Sequence, residues 1–125
     1  MSSKPVNFLE LALTAGALCL VSPLGLGQQR GILEDYMKAA NAYERCVITY
    51  SERFAMTPES PSDIASAAFS SCYSEASAFH ISIMAMGQVS QEFKDDSKIM
   101  ERFKGGYRQS AIKAILEKRY PPVDR

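Results

Sequence analysis

The sequence predicts an all-α protein: a three-helix antiparallel bundle made of a helical hairpin and a long, bent third helix, preceded by an N-terminal apolar signal helix. Three observations point there. Apolar residues recur at spacings of three and four through residues 31–118. Helix-ending signals fall at Thr57-Pro58-Glu59-Ser60-Pro61, at Gly87 and at Tyr120-Pro121-Pro122. No strand-length run of β-branched residues interrupts them.

The first element is the apolar stretch Phe8–Gly27. Lys4 supplies a short basic start, Leu11–Val21 an apolar run without a charge, and Gly25 and Gly27 the small residues before a cut at Gln28. That is the layout of a secretory signal, and residues 1–27 are predicted to be one, leaving a single helical domain at 28–125. A retained transmembrane helix needs about 20 apolar residues, more than the clean run provides before Pro23. A buried globular helix would need a polar face, and this segment has none.

Tyr36, Ala40, Tyr43, Val47, Tyr50 and Phe54 then form one stripe of a helix over about 31–57, opposite Glu34, Lys38, Arg45 and Glu52. After the turn, Ser60 is a good N-cap, with Pro61 at the first helical position and Asp63 in the first turn. The second helix is predicted over 61–86, with a seam of Ala65, Ala68, Cys72, Ala76, Phe79, Ile83 and Met86 and with Gly87 as its stop. Ser90 is read as the cap of a third helix over 91–118, whose stripe is Phe93, Met100, Phe103, Tyr107 and Ala114. The stripe keeps phase across Gly105-Gly106, which favours one bent helix over two.

Removing the signal takes Cys19 with it and leaves an even pair, Cys46 and Cys72. In an antiparallel hairpin turning near Glu59 the two are equidistant from the turn, each about 18 Å along its helix at 1.5 Å per residue. They should therefore face each other and form a disulfide, worth on the order of 3 kcal/mol for a loop of this length.

The whole chain has 14 basic and 14 acidic residues, so net charge gives no reason to expect nucleic acid. The distribution is uneven. Residues 28–90 hold four basic and seven acidic side chains, whereas 91–125 hold nine basic and six acidic. Two surfaces follow as candidates for a partner: the serine ridge Ser62, Ser66, Ser70 and Ser74, and the basic side chains Arg102, Lys104, Arg108 and Lys113. His80 is the only histidine and lacks a strained nucleophile turn beside it, so a half-exposed helix residue is the simpler reading than a hydrolase base. One His, a cysteine pair and scattered carboxylates do not make a zinc site, and Asp95-Asp96 fits the positive end of a helix.

These readings lead to an expectation of a small exported protein, periplasmic or secreted, that is not an enzyme and carries no cofactor. Its expected action is to bind another protein as an inhibitor, immunity factor or chaperone. The alternatives are a carrier holding a small apolar ligand near Met84, Met86, Met100 and Phe103, with Gly105-Gly106 as hinge, or a membrane-tethered accessory protein if the N-terminal helix is retained.

Overall fold

The computed structural model describes the backbone of residues 4–124 and the side chains of residues 27–124. The side chains of residues 1–26, nearly the whole predicted signal segment, lie outside that range. Four α-helices follow one another: α1 (Lys4–Arg53), α2 (Pro61–Ser71), α3 (Tyr73–Gly87) and α4 (Asp96–Arg119), with a 3-10 turn at Gln91–Phe93 before α4. Among the described residues there is no strand.

The predicted seams form the core. Tyr43 and Val47 of α1, Ala65 and Ala68 of α2, Phe79 and Ile83 of α3, and Tyr107 and Ala111 of α4 are buried together with Cys72, the residue between α2 and α3. Rings fill the centre: Phe79 and Phe103 meet at 5.0 Å and 82°, and Tyr43 and Tyr107 at 5.4 Å and 89°. Edge-to-face pairs of this kind add about 1 kcal/mol beyond area burial. Tyr107 also donates its hydroxyl to Ala40 O at 2.9 Å, which ties α4 to α1 through a buried polar group that is satisfied. Burial, followed by the nearby Glu44 and the phenols of Tyr36 and Tyr43, pushes the Tyr107 hydroxyl above the ordinary tyrosine range.

The boundaries differ from the periodic reading in five places. The backbone of α1 is helical without a break from Lys4, so the helix expected to start at 31 is continuous with the one before it. α1 stops at Arg53 and not at 57, because Pro58 disfavours a helical Thr57 and Ala55 turns inward to complete burial beside Ile64 and Ile115. The 61–86 helix is two helices, broken at Cys72, whose φ of −95° and ψ of 32° leave the helical region. Just before the break, Ser66 Oγ donates to Ser62 O at 3.0 Å and Ser70 Oγ to Ser66 O at 3.3 Å, contacts that bend a helix by competing for its carbonyls. The third helix begins at Asp96 and not at 91: Ser90 makes no side-chain cap bond, whereas Asp95 Oδ1 accepts from Lys98 N–H at 3.1 Å. Finally, the inward stripe of α4 passes from Tyr107 to Ala111 and Ile115, so Ala114 is only half-buried.

Other signals hold. Ser60 Oγ accepts from Asp63 N–H at 3.1 Å with Pro61 at the first position of α2. α4 is continuous across Gly105-Gly106. Gly87 ends α3, though without a left-handed backbone. Its role is spatial: a Cβ there would lie 3.0 Å from the carbonyl oxygen of Phe93, so the chain that leads into α4 can fold back closely over the end of α3.

Candidate functional site

Cys46 and Cys72 are joined in a disulfide with their Cα atoms 6.0 Å apart. Cys46 lies within α1, and Cys72 is the residue between α2 and α3, so the bond pins the break in the second arm of the hairpin to the first arm. Cys72 is fully buried and Cys46 is partly exposed. Above them runs an open groove of about 450 Å³, walled by Arg45, Thr49, Tyr50, Arg53, Ser71 and Glu75. The sulfurs and the Glu75 carboxylate fall within 4.8 Å of one another. In the disulfide form neither sulfur is a thiolate, and so neither can act as a metal ligand.

The predicted serine ridge and basic helix meet each other. Arg108 donates from Nη2 to Ser62 Oγ at 2.6 Å and to Ser62 O at 3.3 Å, and from Nη1 to Ser66 Oγ at 3.2 Å. Lys104 Nζ sits 5.9 Å from the centroid of the Phe69 ring, a cation–π distance. Lys113 pairs with Glu117 at 3.8 Å on the solvent side of α4. Ser70, Ser74 and Arg102 are exposed. Ser62, Ser66, Lys104 and Arg108 therefore join α4 to α2.

Two functional contacts have no sequence signal. Arg119 donates from Nε to Ala55 O at 2.6 Å and from Nη2 to Thr57 O at 2.8 Å and to Glu59 O. One guanidinium at the end of α4 thus satisfies three carbonyls of the α1–α2 turn. His80 Nε2 donates to Asp96 Oδ2 at 2.6 Å, linking the middle of α3 to the first turn of α4. That bond, ahead of all other causes, holds the Asp96 carboxyl below its ordinary range. A His–Asp pair is the orienting part of a triad, but no serine hydroxyl bonds to His80 among the described residues.

The outer side of α3 is the most unusual surface. Its sequence, Tyr73–Gly87, contains one charged residue, Glu75, besides His80. Tyr73, Ile81 and Met84 recur on one side of the helix and are 75%, 67% and 53% exposed. Beside them Ala78, Ile81 and Ala85 face Ile32 and Ala39 of α1 across an open apolar groove of about 390 Å³. Of the residues considered for a small-ligand chamber, Met86 is buried, Met100 and Phe103 pack on the core, and Met84 stands at the rim of an open groove with Gln88, Lys94 and Asp96.

Among the described residues no helix is long and apolar enough to cross a membrane. Comparison with protein-family models, curated proteins and solved structures finds no match to this chain.

Proposed function

We propose that this chain is an exported, disulfide-clamped helical protein that acts without catalysis, by binding another protein on the outer side of α3. The observation that carries the reading is the exposure of Tyr73, Ile81 and Met84 on a helix almost without charge. Large apolar side chains left exposed on one side of a helix are a common mark of an interaction site. The groove shared with Ile32 and Ala39 of α1 gives the face depth, which suits an amphipathic helix laid along it. Inhibitors, immunity factors and chaperones act through such contacts.

The disulfide supports an oxidising compartment, because cytosolic thiols are ordinarily kept reduced. The layout of residues 1–27 supports the route there.

The test compares the oxidised chain with Ile81→Lys as bait for an envelope extract. Ile81 is mostly exposed, so the variant should keep its melting temperature while losing the captured protein. Equal capture by both chains would remove the α3 face from the reading. Self-association of the wild-type chain that Ile81→Lys abolishes would replace the foreign partner with a second copy.

A further inference from the structure

We propose that Cys46 is a thiol-exchange site: a small anionic thiol attacks Cys46 Sγ, and Cys72 is the sulfur that leaves. The inference rests on the disulfide and its groove, and stands or falls independently of the α3 docking face.

Access decides which sulfur is attacked. Both cysteines line the groove between α1 and α3, but Cys72 is fully buried whereas Cys46 is partly exposed. The groove, about 450 Å³, has the size of a small-molecule site.

The leaving sulfur is equally well marked. Cys72 is the residue before α3, the N-terminal cap position of that helix. Its N–H bonds to Ala68 O and its carbonyl accepts from Ala76 N–H, both at 3.0 Å. The positive end of a helix dipole stabilises a thiolate, and a more stable leaving thiolate speeds exchange. Cys46, in mid-helix, has no such position.

The entering thiol is selected by charge. Arg45 and Arg53 flank Cys46 on the wall of the groove, and neither is in an ion pair among the described residues. Glu75 opposes them from the other wall, so the groove carries a net positive charge. Long-range attraction of this kind raises association rates for anions.

The step is balanced. The incoming thiol first loses its proton to water. Its thiolate sulfur forms a bond to Cys46 Sγ while the Cys46–Cys72 bond breaks, and the electron pair leaves on Cys72 as a thiolate. The number of disulfides is conserved; the bond moves from within the chain to between the chain and the small thiol.

The experiment uses the oxidised full-length chain with Cys19 alkylated beforehand. It is exposed to glutathione, quenched in acid, unfolded and alkylated, and the peptides are mapped by mass spectrometry. Glutathione should be found on Cys46 in about tenfold excess or more over Cys72, which should appear alkylated. Equal labelling, an excess on Cys72, or no adduct where the urea-unfolded oxidised chain reacts readily, would each overturn the assignment. In the Arg45→Ala, Arg53→Ala double variant, glutathione should react several-fold more slowly and the uncharged thiol β-mercaptoethanol at its original rate. Both arginines are exposed, so the fold is kept. Equal effects on both thiols, or none, would remove the arginines from the proposal.

Discussion

Helices α3 and α4 both pack against α1 and are built in opposite ways. α4 carries seven basic and three acidic residues, and three of its cations reach across to other elements: Arg108 to Ser62 and Ser66, Lys104 to the Phe69 ring, Arg119 to the turn. α3 is nearly uncharged, buries Phe79 and Ile83, and leaves Tyr73, Ile81 and Met84 in water. Part of the charge in α4 thus serves attachment within the chain, since Arg108 and Arg119 bond to neutral hydroxyls and carbonyls. In α3 the apolar content exceeds what the core can use. The surplus lies on one side, where most of it faces water.

Substitutions along both helices test that contrast. The largest effect belongs to Phe79→Ala on the inner side of α3, which empties a fully buried ring site in the aromatic cluster. It should cost about 3–5 kcal/mol in denaturant unfolding, far above the cost of Ile81→Lys on the outer side. Next comes Arg119→Ala, which strips three turn carbonyls of their donor at once. A loss of about 2 kcal/mol is expected, and a change no larger than that of a surface lysine would show the clamp to be idle.

Gly106→Ala should run the other way. Nothing lies within 4 Å of a Cβ added there, so the variant should gain about 1 kcal/mol of thermal stability if α4 is a rigid strut. A loss would mark the glycine pair as a working hinge.

The smallest effect concerns the bond between the helices. The Asp96 carboxyl is held below the ordinary range chiefly by His80, so its folded pKa lies beneath its unfolded one. The stabilisation is fully present above the unfolded carboxylate value, about 3.9, and is lost as pH falls through the folded value. The stability difference between wild type and Asp96→Asn should therefore shrink below about pH 4. A difference constant down to about pH 2 would show that the pair does not contribute.

The folded seam was legible because burial leaves a period in the sequence. Tyr43, Val47, Ala65, Ala68, Phe79 and Ile83 all lie where spacing placed them, and equal distance from one turn was enough to pair Cys46 with Cys72. The break at Cys72 was not legible, since the bonds on either side of it preserve the phase of the seam. Arg119 and Asp96 act across the sequence on three backbone carbonyls and a lone imidazole, none of which leaves a pattern. The serine ridge and the basic helix were each visible; their mutual contact through Arg108 was not, because periodicity fixes faces and not which faces meet. The outer side of α3 was concealed by the same richness in apolar residues that identified its inner side.

The Arg119 clamp also orders events in time. On a growing chain, Cys72 emerges about 47 residues before Arg119, an interval of a few seconds at ordinary rates of synthesis. The covalent closure of the hairpin is thus available before its turn can be fastened. During that gap the carbonyls of Ala55, Thr57 and Glu59 are left to water, and Phe79 and Ile83 await the helix that will cover them. The nascent hairpin is at its most vulnerable in those seconds, and the residue that ends its exposure lies at the far end of α4.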